Sequence, residues 1–325
     1  MPLTDRGAER RVILAALLVA LVPWASSATA QGGSTTERPV LDGVQELDFD
    51  EPEAWAMNTF AAISLLTSLG AVEQTEPGAV DVGLELLQAP HLDSEQRRVG
   101  FGGFKEEDLN RSPVWVRLRA GVGLPGGLRL LLAWAPPVEI DGVEASLFSA
   151  ALERRLWASG RWSLGGRVYA QIGEADGDFT CQAGEDHLFP PGTPKNPFGC
   201  EEPSRDTVAL DYAGLQLVAA YRLGAAATVH AGVAWSRVDT EFQVRAETFG
   251  FSDRTLLVSD GDLVSWTAGV GWRLGGAGEA DFGRLVLEAF YTPLDVERPR
   301  LDGAGRERSS DPLLNLRLGW SLRLR

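Results

Sequence analysis

Pro312–Arg325 reads PLLNLRLGWSLRLR. Leu314, Leu316, Leu318, Trp320, Leu322 and Leu324 take every second position, and Asn315, Arg317, Gly319, Ser321 and Arg323 lie between them. Successive side chains of a strand point to opposite faces, so this stretch is a strand with one apolar and one polar face. A chain ending on its most regular two-faced strand leaves an open edge unless that strand pairs back onto the first, and closure into a barrel removes both edges. In lipid, closure also gives every backbone N–H and C=O a partner. The fold predicted from this stretch is all-β: an antiparallel up-and-down transmembrane β-barrel.

Arg317, Gly319, Leu322 and Leu324 have the spacing of a polar residue, a glycine and two large apolar residues. The segment resembles the carboxy-terminal assembly signal of Gram-negative outer-membrane β-barrel proteins, with Leu where aromatics are common and Arg325 where Phe is the typical last residue. The resemblance implies the cell outer membrane, contact with outer-membrane lipid and lipopolysaccharide, and recognition by the barrel-assembly machinery.

Working back from the end, period two recurs from Val80 onward. It gives about ten strands, near 80–91, 113–124, 127–137, 145–157, 161–174, 207–223, 225–244, 255–274, 283–293 and 312–324; eight or twelve remain open because 138–144 and 245–262 read ambiguously. Short connections alternate with longer ones, the asymmetry of outer-membrane barrels, with the short turns expected on the periplasmic side. On the apolar face, Trp134, Phe148, Trp235, Trp266 and Tyr291 fall toward the outer ends, and Trp162, Tyr221, Trp272 and Trp320 toward the periplasmic ends. Two such belts mark the two membrane interfaces. Alternation alone would equally suit a soluble barrel with the apolar face inward; the connections, the belts and the terminal strand decide for the membrane.

Upstream, Arg6, Arg10 and Arg11 precede the apolar run Val12–Val22, and Ser26–Ala30 ends in a small-x-small pattern. Residues 1–30 therefore read as a cleaved signal peptide, the run being short for a membrane-spanning helix. Residues 31–79 read as a periplasmic lead-in with a helix at about 52–69, Asp50 as N-cap, Glu53 three residues on and Gly70 as the stop. That helix is expected to pack against or into the barrel mouth. The barrel occupies 80–325.

The formal net charge of −15 argues against a nucleic-acid partner. Acidic residues gather between Glu174 and Asp206, a surface suited to bridging divalent cations to lipopolysaccharide. Cys181 and Cys200 share one Pro/Gly-rich segment of an exported chain, so a disulfide is the default and a metal site is not expected. No phosphate-cradling loop or catalytic motif is present, and no cofactor is expected.

The polar strand faces bring Arg117, Arg119, Glu153, Arg167, His230, Glu288 and Arg317 together inside the barrel. Two readings follow: an Arg-lined, anion-preferring constriction that acts as a selectivity filter, or a salt-bridged network that fills a narrow lumen. With four guanidiniums against two carboxylates, the middle of the lumen is expected to be hydrated. For function, a narrow or gated passage for a small solute stands beside a structural or surface-interaction barrel acting through its outer loops, and beside a surface enzyme. Omptin-type proteases, ten-strand barrels with acidic residues and a His at the rim, prompt the last; the residues to consider are His187 with Asp176, Asp178, Glu185 or Asp186. In layout alone, the helix before the barrel is similar to the hatch of outer-membrane fatty-acid transporters, a family with more strands.

Overall fold

The computed structural model describes residues 38–324, except 112, 185, 276–281, 301, 303 and 304. The expected signal peptide and Arg325 lie outside the described residues. Val40–Glu46 forms β1 and Pro52–Ser64 forms α1. Ten strands then close a barrel: β2 (Val80–Gln88), β3 (Val114–Gly123), β4 (Leu128–Ala135), β5 (Val143–Ser159), β6 (Trp162–Gly177), β7 (Asp206–Arg222), β8 (Ala227–Gln243), β9 (Phe251–Leu274), β10 (Gly283–Thr292) and β11 (Leu313–Arg323). Each pairs antiparallel with its neighbour in sequence, and β11 pairs with both β10 and β2, so Leu318 lies between Leu287 and Leu86. The strand expected to close the barrel does so.

The alternation sorts as lipid and lumen require. Val116, Leu118, Val168, Leu215, Leu217, Leu314, Leu316 and Leu318 are exposed on the outer wall, whereas Glu85, Arg117, Glu153, Arg167, Gln216, Glu288 and Arg317 are buried within. Trp134 lies across from Phe148, and Trp266 across from Tyr291, at one level of that wall. Trp162 packs on Tyr221 with ring centroids 4.7 Å apart, toward the other end. No helix among the described residues is long and apolar enough to cross a membrane; the crossing is made by strands.

The tight turns at Pro125–Gly127 and Gly160 and the connection at 223–226 lie at one end. The opposite end carries 89–113, 178–205 and a hairpin of Asp295–Pro299 with Arg306–Ser310. There β9 runs four residues further back than expected, because Phe251–Val258 continues as a hairpin beyond the wall. The described lead-in differs from expectation in place. β1 runs parallel to Ser252–Val258 of β9, at the loop end, so Arg38–Asp50 lies opposite the short turns. The chain reaches β2 only by descending through the lumen.

α1 begins with Pro52 at its first turn, a position that needs no N–H donor. Its N-cap is Glu51, without a side-chain cap, rather than Asp50. After Glu53 it carries no charge and is rich in Ala, and nearly every face is buried, as suits a helix enclosed by a wall on all sides. It ends at Ser64, about five residues before the expected stop, and the reason lies in the lumen.

Candidate functional site

Beyond Ser64 the backbone groups that would continue the helix are bonded to wall side chains instead. Arg117 Nη1 donates to Ser64 O at 2.6 Å, Arg317 Nη1 to Leu65 O at 3.2 Å, and Arg167 Nη1 to Leu66 O at 3.3 Å and Ser68 O at 3.1 Å. Tyr212 donates its hydroxyl to Ser64 O at 2.9 Å and accepts from Leu66 N at 2.8 Å. Ser68 N donates to Gln216 Oε1, and Leu69 N to Glu288 Oε2, each at 2.8 Å. Strands β3, β6, β7, β10 and β11 thus hold six residues, Ser64–Leu69, across the lumen. Buried backbone groups must find partners, and here the wall supplies them. Just below, Val72 is buried against Gly165 of β6, where a β-carbon would collide with the valine side chain.

The ion pairs that position these arms run around the wall. Glu85 accepts from Arg117 twice, Nε at 3.0 Å and Nη2 at 2.8 Å, and from Arg119 Nη1 at 3.2 Å. Glu153 accepts from Arg167 Nη2 at 2.6 Å and Arg129 Nη1 at 2.5 Å, and Arg129 also bonds Asp81. His230 Nε2 lies 2.9 Å from Glu288 Oε2. Arg317 lies over the Phe290 ring, 3.9 Å from its centroid. The structure places Arg117, Arg119, Glu153, Arg167, His230, Glu288 and Arg317 on the inner face of the wall. The charge balance differs from expectation: Glu85 and Asp81 add two carboxylates and Arg129 one guanidinium, and the carbonyls of Ser64, Leu65, Leu66 and Ser68 accept hydrogen bonds from the guanidiniums.

Glu85, Asp81 and Arg129 follow from the same alternation: with Val82, Leu84 and Leu86 outward, Asp81 and Glu85 point inward, and with Leu128, Leu130 and Leu132 outward, so does Arg129.

A cavity lies toward each end of the barrel. At the loop end, one of about 210 Å³ is lined by Met57, Phe60, Leu109, Phe179, Phe242 and Leu257, with Glu53 and Glu107 at its edge. Burial pushes the Glu107 carboxyl up to about 8, outweighing the attraction of Lys105, whose Nζ is 2.9 Å away. Burial also raises Glu53, which accepts from Gly102 N. At the short-turn end, a vestibule of about 380 Å³ is bounded by Leu69, Arg119, Arg129 and Glu153.

In the loops, Cys181 and Cys200 are bonded, and Asp206 anchors the loop base by accepting from Thr180 N, Ser204 Oγ and Arg245 N. Asp176 bonds Thr207 and Asp178 bonds Arg111, and neither hydrogen-bonds His187. Glu185 and the Asp186 side chain lie outside the described residues. No cluster of metal-ligating side chains occurs among the described residues.

A closed barrel with an apolar outer wall and two aromatic belts makes the chain an outer-membrane β-barrel of the cell outer membrane. No family model matches it, and no curated protein matches it. Among solved structures it is similar to the toluene transporter TodX of Pseudomonas putida, at 11% identity over 89% of this chain and 85% of that one, with a TM-score of 0.30. It is also similar to the outer membrane protease OmpT of Escherichia coli, at 9% identity over 76% and 92%, with a TM-score of 0.36. A third is Ail, the attachment invasion locus protein of Yersinia pestis, at 8% identity over 76% and 100%, with a TM-score of 0.23. At such identities and scores the likeness carries no argument about what this chain does.

Proposed function

We infer that the barrel is a gated passage for a small solute, with Ser64–Leu69 as its gate. One observation carries this reading: below the enclosed helix the lumen is crossed by a short extended segment held through side chains, with a vestibule on its short-turn side and a cavity beside α1 at the loop end. The segment is held by hydrogen bonds that water can replace, the neutral ones contributing about 0.5–1.5 kcal/mol net and those to charged side chains about 1.5–3. A solute gathered at the loop end meets aromatic and aliphatic walls, so a small, largely apolar molecule suits that cavity best.

Tyr212→Phe with Gln216→Ala removes three of the bonds to the gate while leaving the ion pairs intact. At about 1 kcal/mol each, the open population rises by at least about tenfold. Single-channel recording in planar bilayers tests this, with rare openings expected from the wild type and frequent ones from the double variant. Silence from both proteins refutes the passage. It favours instead a structural or surface-interaction role through the disulfide-closed loop and β1, whose seven residues are all exposed.

A further inference from the structure

The vestibule at the short-turn end has a composition that closing a gate does not require. Of its lining residues, seven are arginines and three, Glu73, Asp81 and Glu153, are acids. The excess is four positive charges, in a chain whose formal net charge is −15. Counting Glu279 and Asp281, which lie in sequence between β9 and β10, as acids against it still leaves two.

The arginines divide into a floor and a rim. On the floor, Arg129 and Arg167 share Glu153, and Arg119 is the poorly matched one: its carboxylate, Glu85, already takes two bonds from Arg117. At the rim, Arg222, Arg273 and Arg323 have no carboxylate within ion-pairing distance among the described residues. Arg273 and Arg284 sit directly across the β9–β10 ladder from each other, and both line the cavity. Like charges directly opposite on one face destabilise a sheet, and no packing need explains keeping two of them there.

Arg284 supplies a further observation. Its Nη1 donates to Glu73 at 2.8 Å, but its Nη2 is buried and has no protein acceptor. Two glycines make the room that this guanidinium occupies. A β-carbon on Gly271 would lie 2.9 Å from Nε and Nη2, and one on Gly70 would lie 3.1 Å from Nη2. An unmatched guanidinium N–H, a like-charged pair and an under-compensated floor arginine converge on one concavity with low-dielectric walls, where the field is focused rather than screened.

We propose that this vestibule is a binding site for a small soluble multivalent oxyanion, held by Arg119 on the floor and by Arg273 and Arg284 at the side. Guanidinium forks match the oxygens of such an anion in pairs, and charge-assisted bonds of this kind are about twice as strong as neutral ones. The site goes beyond the passage reading, because it lies wholly on the short-turn side of the gate and fills whether or not the gate opens.

Calorimetric titration of the full chain in uncharged detergent, with sodium pyrophosphate as probe at low salt, tests it. Saturable binding is expected for the wild type, weakening by at least about tenfold in Arg119→Gln with Arg284→Gln. Arg273→Gln with Arg323→Gln, nearer the rim, gives the same direction and keeps the test decisive if the first variant does not assemble. Arg237→Gln, at the loop end, stays within about twofold of wild type because it lies beyond a screening length from the vestibule. No saturable heat in the wild type overturns the proposal. So does equal weakening by Arg237→Gln, which would mean adsorption to surface charge. A parallel titration with monomeric short-chain phosphatidylglycerol separates the sources: saturation by the lipid but not by pyrophosphate overturns the assignment to a soluble anion.

Discussion

Replacing Glu85 by Gln tests whether the lumen is a tightly matched network. The carboxylate is fully buried and is the shared acceptor of Arg117 and Arg119, with three bonds of 2.8–3.2 Å. The amide would keep the shape and lose the charge, leaving two guanidiniums short of an anion beside buried Arg317. Removing one partner of a buried ion pair costs about 3–5 kcal/mol, because the other charge stays buried and uncompensated. Arg117→Met added to Glu85→Gln should recover much of that loss, since an apolar replacement of both partners is often close to neutral; the bond from Arg117 to Ser64 O is not recovered. The assay is urea unfolding from lipid vesicles, read by the loss of the heat-resistant folded band on electrophoresis. A cost for Glu85→Gln below about 1 kcal/mol would show that the network is not tightly matched and that water compensates the arginines. The hydrated mid-lumen expected from four guanidiniums and two carboxylates would stand after all.

On the terminal strand, Leu318→Arg puts a charge on the lipid face near mid-membrane and should cost about 2–4 kcal/mol by the same unfolding assay. Ser321→Arg, on the lumen face, should cost much less, and equal tolerance would mean the faces or depths are misassigned. Reducing Cys181–Cys200 should raise protease cleavage between Asp176 and Asp206 while leaving the barrel's heat-resistant band unchanged, because the loop is a local unit outside the strand ladder. At the mouth, Glu107 has its carboxyl raised on folding, so the folded state holds the extra proton: loop stability is full below the ordinary carboxylate range and falls as pH rises toward about 8. Protease sensitivity of 89–113 should therefore increase from acid to alkaline pH, and Glu107→Gln should flatten that dependence.

The wall was legible in the sequence because strand periodicity is a local signal that lipid sharpens: Leu316, Leu318 and Trp320 can only face outward if Arg317 faces in. About ten strands and two belts followed from that periodicity, and the alternation of short and long connections with the terminal strand decided for the membrane. The extended segment Ser64–Leu69 was not legible. Ala54–Ser68 has the composition of one continuous helix, and nothing local in Leu65–Leu69 forbids it. The helix stops because Arg117, Arg167, Tyr212, Gln216, Glu288 and Arg317, from five distant strands, meet its carbonyls and amides, so tertiary contacts override propensity. The side on which the lead-in lies was equally hidden. Parallel pairing of Val40–Glu46 with Ser252–Val258 depends on β9 continuing past the wall, in a stretch that the sequence left ambiguous.

On the gated reading, Ser64–Leu69 opens locally while the ten-strand wall stays closed. Native-state hydrogen exchange at the amides of Leu66, Ser68 and Leu69, against those of Val218 and Ala220 in β7, measures it directly. The amides of the segment are expected to exchange through a local opening, faster than the wall amides and with little dependence on urea. Exchange of both sets at one rate, with one steep urea dependence, would show that the segment leaves the lumen only when the whole barrel unfolds, and that it is a fixed plug and not a gate.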